Sequence, residues 1–291
     1  MRWQGGRRSS NIEDRRGTRV GRPLAVGGGA ATLVVAVLIM LLGGDPSQVL
    51  SGTPSGTGVD IGTGGSGRPL DPAQEELKAF VSVILADTED TWPALLEPLG
   101  VRYSEPRLVL FSDAVRSSCG TQDSSVGPFY CPVDERVYLD LTFFHELDRR
   151  FGAPGDFAQA YVVAHEVGHH VQNLLGVSER VHAMRGRMSE ADANALSVLQ
   201  ELQADCFAGI WAHHAQRQRQ VLEQGDVEEG LGAATAIGDD TLQRRAQGHV
   251  VPESFTHGSS AQRVSWFRRG LEQGTLEACD TFRQNAPDRR R

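Results

Sequence analysis

At 291 residues and 40% apolar composition, the chain is long enough for one medium domain or two small ones with a packed core. Residues 1–23 hold seven arginines against Glu13 and Asp14, a net +5, so the rest of a chain with net charge −8 carries −13. That acidity excludes nucleic acid as a partner of the folded part, and the charge split points to membrane topology instead.

The first element in chain order is a membrane segment. Residues 24–44 contain no charge, and residues 33–42 are apolar throughout (LVVAVLIMLL), a length that can span a bilayer. Under the positive-inside rule the arginine cluster stays cytoplasmic. The expected arrangement is a single-pass protein of the cell membrane: a cytoplasmic Arg-rich tail at 1–23, a transmembrane signal anchor at 24–44, and everything beyond it extracytoplasmic. The rival is a cleaved signal peptide. Against it stand the long charged region and the lack of an A-x-A site after Leu42. Residues 45–70 are dominated by Gly, Ser, Thr and Pro without hydrophobic period, so they read as a flexible linker. The folded domain is then 71–291.

Asp71-Pro72-Ala73 opens a helix with apolar residues at Leu77, Phe80, Val81, Ile84 and Leu85. Two strands follow, at residues 108–111 and 137–141, separated by a stretch of small residues and turn formers. Asp156, three residues before Gln159, reads as the N-cap of a further helix, closed by Leu174, Leu175 and Gly176. A second long helix spans about residues 189–214, and residues 217–248 read as helical, charged and partly solvent-facing, with no function drawn from them. Four cysteines on the exported side suggest two disulfides, Cys119–Cys131 closing a short loop and Cys206–Cys279 left over. No C-x-x-C spacing supports a second zinc site.

His165-Glu166-Val167-Gly168-His169 lies within the first of these long helices, among Tyr161, Val162, Val163 and Val167. At about 100° per residue, positions four apart share a face about 6 Å apart along the axis, so both imidazoles reach one ion. Glu166 is placed to face a water there. A catalytic zinc needs a third protein donor. A third histidine six residues on is excluded because position 175 is leucine, and His170 is turned away from the shared face. Glu201 and Asp205, four apart on the second long helix among apolar neighbours, supply the better answer: Glu201 as ligand and Asp205 accepting the free N–H of a ligand histidine.

This pattern resembles the glutamate-zincins, whose two-helix site is thermolysin-like. More narrowly the chain resembles the putative neutral zinc metallopeptidase family of bacterial membrane-anchored proteins, through residues 1–5, 9–16, 127–132 (GPFYCP), 162–172 (VVAHEVGHHVQ), 201–209 (ELQADCFAG) and 255–267 (FTHGSSAQRVSWF). The resemblance implies an α+β, mainly helical zincin-like domain with a small sheet. It also implies one Zn2+ per chain and a protein or peptide substrate.

The expected chemistry has His165, His169 and Glu201 holding zinc and Glu166 as general base. His257 is the candidate donor to the developing oxyanion, as a late histidine or tyrosine is in related zincins, with Arg263 behind it. A helix cap at Ser259 or Ser260 with Gln262 is the plainer reason for that last motif. A peptide substrate is expected to pair with an edge strand at Phe129-Tyr130 or residues 137–141. His145, His182, His213, His214 and His249 lack such spacing. Two other readings stay open: a zinc-stabilised binding or scaffold protein without turnover, and a zinc hydrolase of a non-peptide bond such as a cell-wall amide. Oligomeric state is not readable from the sequence.

Overall fold

A long helix, Pro72–Leu96 (α1), starts where Asp71 accepts a hydrogen bond from the Ala73 amide and Pro72 supplies a preset φ. Val81, Leu85, Trp92 and Leu96 are fully buried along it. In this computed structural model residues 1–17 and 71–284 are described. The expected anchor and linker, 24–70, lie outside the described residues. Among those described, no helix is long and apolar enough to cross a membrane.

The fold is mainly helical α+β with small sheets. One sheet has four strands, ordered β1 (Ile12–Asp14), β2 (Arg107–Phe111), β6 (Arg136–Asp140) and β5 (Phe129–Cys131). β1, β2 and β6 run parallel, with Leu108 opposite Val137 and Leu110 opposite Leu139, and β5 pairs antiparallel to β6. Leu108, Val109 and Leu110 are all fully buried, as expected of a parallel strand covered on both faces. β3 (Ala114–Ser117) and β4 (Gly120–Asp123) form a separate hairpin. The strands expected at 108–111 and 137–141 are therefore present. β1, β5 and the strands of the hairpin, at three or four residues each, are too short to carry a readable period.

The helices that follow are α2 (Thr142–Arg149), α3 (Asp156–Leu174), α4 (Val177–Arg185), α5 (Glu190–Arg219), α6 (Asp226–Ala236), α7 (Asp239–Gln247), α8 (Ser260–Gln273) and α9 (Thr281–Gln284). Phe157, Tyr161, Phe207, Trp211 and Phe267 interlock at the centre of the helical layer, each at most 1% exposed. Full burial of such side chains contributes roughly 1.5–3 kcal/mol each. Glycines let the helices approach. A Cβ on Gly270 would lie 1.9 Å from the Cys206 carbonyl, and one on Gly209 would lie 2.1 Å from the Phe267 carbonyl, so α5 and α8 pack backbone to backbone. Disulfides join Cys119 to Cys131 and Cys206 to Cys279.

Residues 217–248 are largely helical and partly solvent-facing, as expected, while α6 buries Ala233 and Ala234 in the core. Two expectations change. Asp156 is the first residue of α3 and Gly155 is the cap; no capping box forms, because the Asp156 carboxylate is drawn to the Met1 ammonium at 2.7 Å. The folded unit does not begin near Asp71, because Met1–Arg16 belongs to the same compact unit as residues 69–291. The other unit, Gly17–Arg68, lies almost wholly outside the described residues. What joins Met1–Arg16 to the domain is backbone pairing of β1 with β2, a set of ion pairs and the packing of Met1, Trp3 and Ile12 on the core, apolar residues too scattered to show a period in the sequence.

Candidate metal centre

The site depends on how closely α3 and α5 cross. A Cβ on Gly168 would sit 2.9 Å from the Ala204 carbonyl and 3.2 Å from its Cα, so only glycine lets the His165–His169 face reach the face carrying Glu201 and Asp205. His165 Nε2 lies 3.2 Å from Glu201 Oε2, and His169 Nε2 lies 3.5 Å from Glu201 Oε1. These three residues form a group able to hold a metal ion. Ligand atoms about 2.0–2.1 Å from a tetrahedral zinc are spaced about 3.3 Å apart, so both separations suit that ion.

Each imidazole is oriented through its other nitrogen. His165 Nδ1 is 2.9 Å from Asp205 Oδ1, and His169 Nδ1 is 2.9 Å from Gln172 Oε1. An acceptor at Nδ1 selects the tautomer that keeps the proton there and leaves Nε2 as the ligand atom. Gln172 is itself fixed, donating to the Gln200 carbonyl at 2.6 Å and to Gln203 Oε1 at 3.1 Å.

Asp205 is wholly buried and fully engaged. It accepts from His165, from the Tyr161 hydroxyl, and from Arg263 through Nε at 2.8 Å and Nη2 at 2.9 Å. Burial pushes its pKa up, but the Arg263 guanidinium outweighs that and holds it at about 2. Burial likewise pushes His165 down, and Asp205 followed by Glu201 brings it up to about 10. Glu201 is pushed up by burial but held well below the usual carboxylate range, first by His169. Two acids held ionised beside two imidazoles form a donor set that attracts positive charge. Glu166 differs from its neighbours. It is 8% exposed, and its carboxylate has no hydrogen-bond or ion-pair partner among the described residues.

His257 stands on the loop between α7 and α8 with its side chain half exposed. Asp239, the first residue of α7, holds it: Oδ2 accepts from the amides of Thr256, His257 and Gly258 at 2.7–3.0 Å, and Oδ1 lies 3.2 Å from His257 Nδ1. The Asp239 hydrogen bond raises the His257 pKa above its ordinary 6.5, against a downward push from burial. The capping box on α8 also forms, between Ser259 and Gln262.

A profile of the family described as Putative neutral zinc metallopeptidase matches residues 1–282 of this chain. The chain belongs to that family. Among relatives, the uncharacterized protein YpfJ of Escherichia coli strain K12 is 49% identical over 290 residues, covering 97% of this chain and 99% of that protein. The uncharacterized protein Rv2575 of Mycobacterium tuberculosis strain H37Rv is 42% identical over 257 residues, covering 84% of each chain. No solved structure matches.

In this metallopeptidase-family chain the structure brings His165, Glu166, His169, Glu201, Asp205 and Arg263 together. Arg263 lies behind Asp205 rather than behind His257, because α8 packs onto α5 at Gly209 and Gly270. His170 faces away, between the Tyr130 hydroxyl and the Ser104 carbonyl. Sequence reasoning missed Tyr161, Gln172 and Asp239. Gln172 lies one helical turn beyond His169, a spacing that could have pointed to it. Nothing in the sequence links Asp239 to His257. A second acidic group, Asp156, Asp226 and Glu229, also has metal-like spacing, but the Met1 ammonium sits 2.7 Å from Asp156 and 3.3 Å from Asp226 and supplies its counter-charge.

Proposed function

We propose that this chain is a zinc-dependent peptidase of zincin-like architecture, in which Glu166 serves as general base beside His165, His169 and Glu201. The observation that carries this reading is the Glu166 carboxylate, which has no hydrogen-bond or ion-pair partner among the described residues and is open to solvent, on the turn between His165 and His169 beside the three-donor group. A carboxylate left open beside the donors can meet a water there, and a purely structural metal site has no use for one. Zinc in such a site supplies acidification of a water and polarisation of a carbonyl oxygen.

Within the chain, Glu166 takes the proton of the attacking water and returns it to the leaving amine. His257, its pKa raised and its ring aimed by Asp239, donates to the developing oxyanion. The free edge of β5 offers backbone groups to an extended peptide. β6 is paired on both sides, which leaves Phe129–Cys131 rather than residues 137–141 for that role. Tyr130 and His170 tie this strand to α3. Two disulfides favour an extracytoplasmic site of action.

The deciding measurement is the metal content of the purified full chain. About one zinc per chain is expected, lost in Glu201→Ala. Wild-type protein that binds no zinc, or an alanine variant that keeps it at full affinity, overturns the ligand assignment. A panel of unstructured protein and cell-wall amide substrates then separates peptide from non-peptide hydrolysis.

A pH profile tests His257. Its raised pKa means the imidazolium persists above pH 6.5 and is lost as pH climbs through the folded value. Activity is expected to fall on that alkaline limb. Asp239→Asn removes the group that raises the pKa, so the limb moves to lower pH; a limb that stays in place removes His257 from the mechanism.

A further inference from the structure

The first sixteen residues are a layer of the domain. The Leu108 amide donates to the Asn11 carbonyl at 2.9 Å and the Arg15 amide to the Leu110 carbonyl at 2.8 Å, so β1 completes the parallel sheet. Trp3 packs edge-on against Phe80, with ring centroids 5.4 Å apart. The Ser9 amide donates to the Ser82 carbonyl at 2.9 Å.

Glu89 shows that α1 is built to receive this segment. Its side chain is 2% exposed, and its partners are Arg7 at 2.9 Å, the Ser9 hydroxyl and Asn11 Nδ2 at 2.9 Å, all from the N-terminal segment. Among the described residues these N-terminal groups are the hydrogen-bond and ion-pair partners of a buried acid, which is costly to bury unpaired.

The two ends of the intervening chain are also fastened together. Arg16, 2% exposed, pairs with Asp14 at 2.7 Å and with Glu75, and donates to the Gln74 carbonyl at 3.2 Å. Asp14 in turn holds Lys78 at 2.8 Å. Residue 16 and the first turns of α1 are therefore neighbours, separated by hydrogen-bond distances.

A bilayer's hydrocarbon core is about 30 Å thick, and no hydrogen bond spans it. We infer that Met1–Arg16 and the domain carrying the metal centre lie on the same side of the membrane. This departs from the arrangement expected from charge alone. Arg2, Arg7, Arg15 and Arg16 have carboxylate partners within the folded unit, so their charge is already answered there. The inference is independent of peptidase activity.

Sidedness decides it. In the full chain expressed in bacterial membranes, Ser10→Cys and Val133→Cys each place one thiol at an exposed position, Val133 being 71% exposed. With a membrane-impermeant maleimide, both are expected to react in intact spheroplasts, or both only after lysis. Labelling of one before lysis and the other only after it overturns the inference. As a second measurement, a Ser9→Cys/Ser82→Cys pair is expected to cross-link in the membrane-bound chain; a folded, zinc-binding chain that never cross-links overturns the docking itself.

Discussion

Replacing Glu166 with glutamine is expected to lower turnover of an unstructured protein about 10²–10⁴-fold, the range a positioned general base contributes. Zinc stays near one per chain, because Glu166 is not among the three residues grouped as donors. The melting temperature is expected to hold. Glutamine keeps the shape of the side chain, and the charge it removes has no hydrogen-bond or ion-pair partner among the described residues. Metal analysis, steady-state kinetics and thermal melting of the same preparation check all three. Full zinc with unaltered turnover sinks the role assigned to Glu166. Lost zinc would place that residue among the ligands instead.

Arg263→Met is expected to be the most destabilising single change at the site. It leaves Asp205, which is wholly buried, without its two-pronged cationic partner. Removing one member of a buried pair costs about 3–5 kcal/mol. Urea unfolding of chelated wild-type and variant protein measures it, and the loss should shrink in an Asp205→Asn background, where no charge is stranded. The acid limb offers a second readout. Asp205 has a folded pKa of about 2 against an ordinary 3.8, so its stabilisation is present above 3.8 and lost as pH falls through about 2. Without Arg263 that loss begins at higher pH. An unchanged acid limb would mean that His165 and Tyr161 alone keep Asp205 ionised.

The metal-binding half of the site was legible because it is periodic. His165 and His169 share a helix face by spacing alone, and Glu201 and Asp205 announce themselves as acids in apolar company. Gly168 was visible as a letter, but its purpose was not, since the need for a missing Cβ appears only when α5 lies against it. Arg263 was picked out beside His257, with which it interacts, but its hydrogen bonds to Asp205 were not read. Asp239 could not be found, because a residue eighteen positions before His257 that pins a loop through three amides leaves no repeat, spacing or composition to read.

By itself the sequence determined the elements whose signal is local: the two long helices of the site, the central strands β2 and β6, and three of the groups around the metal position on one helix. Each rests on the period of a helix or strand or on the chemistry of one residue type, and so needs no knowledge of what packs against it. Tertiary structure alone decided which acid serves which histidine, which strand keeps a free edge, and where the N-terminal arginines go. Seven arginines before an apolar stretch carry the same net charge whether they face phosphate headgroups or carboxylates. Only the docked partners, Glu89 above all, distinguish a topological signal from the counter-charges of a folded layer.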